Sequence, residues 1–389
     1  MYVIGFSATA STQIVGPILA IYLKDFLLAS IPEVGLAVSV FFLTSALSKL
    51  PVGFSARGTR TTLGLILSLL ICSICPSAYV LAKDLAVFNT IRAIHGFGAA
   101  LFGVTGLTLI SSMALSGKRV EAISSFIASL AVGLMAGPAI GTLSVALLGI
   151  KNTFFIASLP SLIGLAMAYS LARNTSLRVD YGSGRNLALS DLSMVLSNRL
   201  FKGSFLAYMS FSFVFGVLLA YAPIHARENL GFSIGHITSL FFGYFLVITG
   251  VRFMLGRLIE KLGEERMLSL GLLNTTLMGA LMYFVNAPAV FTAAFVCLGL
   301  SHGVVYPTAA IVVARTVKPA ELALANSIYL VAFDLGTFFG PTLTSVVATS
   351  YGIPSALALS GIFPGLVAMI IRKTRLTRSS SSRSQENST

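Results

Sequence analysis

The chain has 389 residues, 56% of them hydrophobic and 10% charged, with a mean hydropathy of +0.91. A soluble domain carries roughly 25% charged residues, so this composition cannot cover a water-facing surface and marks an integral membrane protein. The formal net charge of +13 sits in short runs between apolar segments, which leaves no basic domain to bind nucleic acid.

Apolar runs of about 20 residues, bounded by charges or Gly/Pro/Asn clusters, predict membrane spans. In chain order they are 2–23, 33–54, 61–82, 86–113, 122–147, 152–172, 203–224, 233–255, 267–286, 289–314, 322–349 and 353–371. These runs are too long for barrel strands of about 9–11 alternating residues, so the spans are helices. The fold class is therefore all-α integral membrane, with twelve transmembrane helices. Spans six and seven are separated by the longest polar stretch, Arg173 to Lys202. The chain thus divides into an N-terminal six-helix half (1–172), a linker (173–202), a C-terminal six-helix half (203–372) and a serine-rich basic tail (373–389) with the composition of a disordered segment.

Lys and Arg are distributed unequally between alternate loops. One side collects 21 of them, including Lys49, Arg57, Lys118, the linker, Arg252, Lys261, Arg315 and the tail. The other has Lys24, Lys83, Lys151 and Arg227. The one cation left unassigned to a side is Arg92, inside the fourth span. The excess places both termini in the cytoplasm and the protein in the cell membrane. The first apolar run begins at Tyr2 with no basic leader, so no cleavable signal is visible. Cys72 and Cys75 have a CxxC spacing, but inside a span they read as packing thiols.

The halves repeat at an offset of 203. Gly53-Phe-Ser-Ala-Arg57 aligns with Gly256-Arg-Leu-Ile-Glu260, and Gly133-xxx-Gly137-Pro138 aligns with Gly336-xxx-Gly340-Pro341. A duplicated six-helix unit is the signature of a secondary transporter with its site between the halves.

With these motifs the chain resembles the major facilitator superfamily over essentially its whole length. Arg92-Ala-Ile-His95-Gly96-Phe-Gly98 is similar to that family's fourth-helix motif. Gly133, Gly137, Pro138 and Gly141 are similar to the fifth-helix motif of its antiporter branches. Gly256, Glu260, Lys261 and Gly263 are similar to the second copy of its loop motif. The resemblance implies the major facilitator fold with two pseudo-symmetric halves, and exporter-like function. One position departs from the pattern. The first loop motif has Arg57 where the family has an acid that helps lock the outward-open state, so either Glu260 carries more of that task or the gate is differently balanced.

Several side chains are candidates for the substrate and proton pathway. Arg92 lies about 12 Å along its helix from Asp84 and either faces a cavity or snorkels to the interface. His95 follows one turn later, and His302 sits midway along span ten; each either relays protons or satisfies a hydrogen bond within the bundle. Asp334, about twelve residues into span eleven, is the deepest acid and the candidate coupling group; a structural ion pair is the alternative. Span one offers only Gln13 as a large polar side chain. The glycines at 133, 137 and 141 form a flat packing stripe, and Pro138 bends the helix. In the resembled antiporters that contact also blocks ion leak. Phe211, Phe213, Phe215, Phe241, Phe242, Tyr244 and Phe245 line a greasy pocket or face lipid.

These features point to alternating-access transport, with proton-coupled efflux of hydrophobic or amphipathic drugs or metabolites ahead of exchange or import of small organic anions. A non-transporting receptor or scaffold would leave the duplicated halves without purpose. No P-loop and no hydrolytic constellation appears, so the expectation is no enzyme, no cofactor and no metal. The partners expected are a small-molecule substrate, protons and the lipid bilayer, with the protein a monomer.

Overall fold

The computed structural model describes residues 1–55, 59–113, 118–174, 195–284, 287–317 and 322–373. All its regular elements are helices. The first four are α1 (Tyr2–Leu27), α2 (Ile31–Ser55), α3 (Thr59–Leu81) and α4 (Leu85–Met113). A helical stretch over Arg119–Asn174 is interrupted at Gly149, where φ is 80° and ψ 168°, and so forms α5 (119–148) and α6 (150–174). Then follow α7 (Arg199–Glu228), α8 (Ile234–Leu262), α9 (Glu264–Phe284), α10 (Pro288–Thr316), α11 (Leu322–Tyr351) and α12, which starts at Ile353 and runs past Gly361 to Lys373.

Ten helices among the described residues are long and apolar enough to cross a bilayer. The 53-residue apolar stretch Glu121–Arg173 would be about 80 Å long if straight, so the break at Gly149 makes it two crossings. Helix α9 is more polar. Its Asn274 Nδ2 donates to the Cys297 carbonyl (3.1 Å) and Ser301 Oγ (2.8 Å) on α10, and Thr276 Oγ1 donates to the Gly361 carbonyl (2.8 Å) on α12. Its polar groups are thus satisfied inside the bundle, as lipid requires.

Helix ends overrun the apolar runs because caps, not hydropathy, set them. Asn198 caps α7 by accepting from the N–H groups of Leu200 and Phe201, so Arg199 and Lys202 belong to its first turn rather than to a linker. Ser30 and Glu33 close α2, and Ser233 closes α8. Residues 175–194 and the tail from 374 lie outside the described residues, as does Arg57.

The strongest packing inside each half obeys the repeat. Helix α5 lies on α1 through its glycines, and α11 lies on α7 in the same manner. A Cβ at Gly137 would come within 2.9 Å of the Ala10 carbonyl, and one at Gly340 would meet the backbone carbonyl of Phe213. The halves meet most extensively through two contacts related by the same repeat, α2 with α11 and α5 with α8, and α1 and α2 also touch α7. At the end carrying the α1–α2 and α7–α8 turns they are joined by Lys24–Glu228 (3.3 Å), by the Asp25–Arg227 pair and by Thr142–Thr238 (2.7 Å). At the end carrying the chain termini the N-terminal half keeps a separate core of Ile4, Leu65, Leu69, Phe102, Leu109 and Phe126. The halves are therefore pinned together at the end carrying the α1–α2 and α7–α8 turns.

Candidate functional site

Helices α2 and α11 bring an acid and a cation together across the two halves. Lys49 Nζ lies 2.5 Å from Asp334 Oδ2, Ser45 Oγ donates to the same oxygen at 2.9 Å, and Lys49 Nζ also reaches the Leu330 carbonyl at 3.5 Å. Asp334 is only 3% exposed. Farther along the contact Ser39 Oγ donates to the Phe338 carbonyl (2.9 Å), and Thr342 Oγ1 donates to Ser39 (3.0 Å). A buried carboxylate is tolerable only with its cation and hydrogen bond in place.

This pair corrects the charge count. The tally of Lys and Arg counts Lys49 and Arg252 with the loops, but both lie within helices, six and ten residues before the ends of α2 and α8. Arg92 is thus not alone in depth, and the loop excess becomes 19 against 4. The signal for both was present in the repeat, because the offset of 203 superposes Lys49 on Arg252.

Arg92 reaches α2 rather than the interface with solvent. Its Nε donates to the Ala37 carbonyl (2.9 Å), its Nη2 to the Val38 carbonyl (3.2 Å), and its Nη1 meets the Tyr79 hydroxyl at 3.5 Å. The guanidinium carbon stands 4.5 Å from the Phe41 ring centroid. The planar fork thus holds α4 against α2. Tyr79 also bonds His95 Nδ1 at 2.7 Å, and His95 Nε2 is buried without a hydrogen-bond partner. In the other half His302 Nδ1 bonds the Tyr244 hydroxyl at 2.9 Å. His95 and His302 are therefore each held by a tyrosine of their own half.

Around His302 the C-terminal half is built from rings. Tyr208 stacks on Tyr329 (4.8 Å between centroids) and lies 5.3 Å from Tyr306, while the Tyr329 hydroxyl donates to the Tyr306 carbonyl at 2.6 Å. Phe333 packs on Tyr208 and Phe215, and across the halves on Phe42 at 6.0 Å. Arg252 lies over Tyr306, 5.5 Å from the centroid. Of the aromatic candidates, Phe211, Phe215, Phe241, Tyr244 and Phe245 are buried inside the bundle, and Phe213 packs on Phe363 of α12.

The remaining candidates are more dispersed. Gln13 is half-buried, its Cβ against Gly137. Gly133, Gly137 and Gly141 face Phe6, Thr9, Ala10 and Ile14 of α1, so the stripe and Pro138 serve a contact within one half. Gly53 and Gly256 have open space around them, Glu260 and Lys261 are exposed at the end of α8, and Gly263 terminates that helix at φ 79°. Beside them Glu264 pairs with Arg315 of α10. Among the described residues no group of three or more His, Cys, Asp or Glu could hold a metal ion.

The family model described as Major Facilitator Superfamily matches residues 1–273 and 204–388. An uncharacterized MFS-type transporter of Methanocaldococcus jannaschii is 20% identical over 97% of each chain. Multidrug resistance protein MdtG of Yersinia enterocolitica is 24% identical over 92% of this chain and 87% of its own. Among solved structures, a bacterial homolog to the human lysosomal transporter Spinster, in an inward-facing and unoccupied conformation, has a TM-score of 0.77 at 14% identity. It covers 97% of this chain and 95% of its own. The nucleoside transporter NupG has a TM-score of 0.80 at 12% identity, over 96% and 97%.

Proposed function

Because this chain belongs to the major facilitator superfamily, we propose that it exports hydrophobic or amphipathic compounds across the cell membrane in exchange for protons, by alternating access. The observation that carries this reading is the Lys49–Asp334 pair, which lies in the contact between the halves rather than within either one. A ligand shifts a conformational equilibrium only through differential affinity for its states. A carboxylate paired with Lys49 in one state and separated from it in the other binds a proton with different affinity in each. Asp334 is thereby the coupling group and Lys49 its competitor for the proton.

With both termini in the cytoplasm, the end pinned by the Lys24–Glu228 and Asp25–Arg227 pairs faces outward. The ring-lined C-terminal half then receives apolar compounds from the cytoplasmic side, and the multidrug resistance relatives support the efflux direction. The test is transport by full-length protein in proteoliposomes carrying only a proton gradient. Asp334→Asn, which keeps size and hydrogen bonding, should abolish accumulation against a gradient while substrate binding persists. Accumulation by that variant would make Asp334 structural.

A second reading, exchange of small organic anions, is favoured by one observation: the deep cations Lys49, Arg92 and Arg252 outnumber the one deep acid among the described residues.

A further inference from the structure

The three deep cations differ in what satisfies them. Lys49 is matched by Asp334, and Arg92 by two backbone carbonyls and the Phe41 ring. Arg252 has neither kind of match. Its Nε is buried with no hydrogen-bond partner, and no ion pair among the described residues includes it; only the Tyr306 ring lies beneath it. An arginine within a span normally pairs with an acid or with carbonyl groups.

The repeat identifies what is missing. The offset of 203 carries Lys49 on α2 onto Arg252 on α8, and it carries Asp334 on α11 onto Ala131 on α5. The contacts α2–α11 and α8–α5 are copies of one another. At the first contact the protein supplies both cation and acid. At the second it supplies the cation, and a half-buried alanine stands where the acid would be.

We propose that Arg252, with Tyr306 beside it and Tyr208 and Tyr329 packed behind that ring, forms a subsite for the carboxylate end of an aromatic amphipathic substrate, which supplies at this contact the negative charge that Asp334 supplies at the other. The proposal deepens the transport reading and rests on it. The guanidinium fork matches a carboxylate through two parallel N–H donors. Tyr306, the half-buried ring of the three, gives the substrate's own ring an offset or edge-on contact, the buried Tyr208 and Tyr329 pack behind it, and the half-buried Phe333 continues toward the α2–α11 contact. A monoanion neutralises Arg252. A neutral compound of the same shape leaves the cation unpaired.

The test is equilibrium dialysis of purified full-length protein against aromatic monocarboxylates from 1-naphthylacetate to 4-biphenylacetate, each beside its methyl ester. Wild type should bind each acid about ten- to hundredfold more tightly than its ester, the span of a charge-assisted hydrogen bond. Arg252→Gln should bring the acid-to-ester ratio near one. Ala131→Asp, which places an internal acid at the copied position, should do the same. The ratio is read within each variant, so partial misfolding lowers both affinities and leaves it unchanged. Equal binding of acid and ester by wild type, binding of neither, or a preference that survives Arg252→Gln or Ala131→Asp would overturn the subsite. The transport reading stands or falls separately, on uphill accumulation in proteoliposomes.

Discussion

Replacing Lys49 by alanine leaves the Asp334 carboxylate buried between the two halves with Ser45 as its remaining hydrogen-bond donor. Breaking a buried ion pair on one side costs about 3–5 kcal/mol. The Lys49 side chain is 15% exposed against 4% for Asp334, so water reaches the ammonium end first and the lower bound of about 3 kcal/mol applies. Because the pair spans α2 and α11, the cost falls on the arrangement in which those helices meet as they do here. At about 1.4 kcal/mol per factor of ten, that arrangement should lose roughly a hundredfold in population relative to one lacking the pair. Spin labels at the exposed positions 60 and 261, one in each half near the end carrying the chain termini, would report the change as a new distance population. Asp334→Ala should move the distribution the same way, and the double variant should lie near the single ones, since the second substitution removes an already unpaired group. Single variants that leave the distances unchanged, or effects that add to within about 0.5 kcal/mol, would refute a coupled pair specific to this state.

Three further outcomes follow from the same geometry. Arg92→Lys keeps the charge but can serve only part of the set formed by the Ala37 and Val38 carbonyls and Tyr79, so the protein should melt at lower temperature and transport should fall; a wild-type melting curve would contradict the α2–α4 clamp. Gly137→Ala places a methyl 2.5 Å from Gln13 Cβ and 2.9 Å from the Ala10 carbonyl, which should destabilise by about 1–3 kcal/mol, whereas Gly250→Ala, in open space, should be neutral or stabilising by thermal melting. Thiol labels introduced in the Arg173–Lys202 stretch and after Lys373 should react only from the cytoplasm, and labelling from outside would reverse the orientation.

Hydropathy made the helices legible because a bilayer demands long apolar runs, and the offset of 203 made the two halves legible. Helix ends were less readable. The cap at Asn198 and the left-handed break at Gly149 are set by backbone conformation and local hydrogen bonds, to which an apolar window is blind. The candidate site was half visible. Asp334, Arg92 and the histidines stand out because polar groups are rare in these runs, yet their partners did not. Tyr79 and Tyr244 look like ordinary span aromatics until the fold sets their hydroxyls on His95 and His302.

Lys49 and Arg252 count with the loops in the sequence for a physical reason. A cation near the end of an apolar run has the same sequence signature whether its long side chain snorkels outward to water or turns inward to an acid. Only the neighbouring helix decides between these fates. For Lys49 that helix is α11, which presents Asp334 and the Leu330 carbonyl. Duplication gave α8 an equivalent cation, but α5 has Ala131 at the position that α11 fills with Asp334. One contact between the halves therefore closes on itself, while the other leaves a positive charge among tyrosine rings. In the proposed cycle a proton acts at the first contact by competing with Lys49 for Asp334, and the second contact has no acid of its own for a proton to act on. On the subsite proposed for Arg252, an anionic ligand would act at the second contact through its own difference in affinity, and without such a difference no ligand can drive the halves from one arrangement to the other.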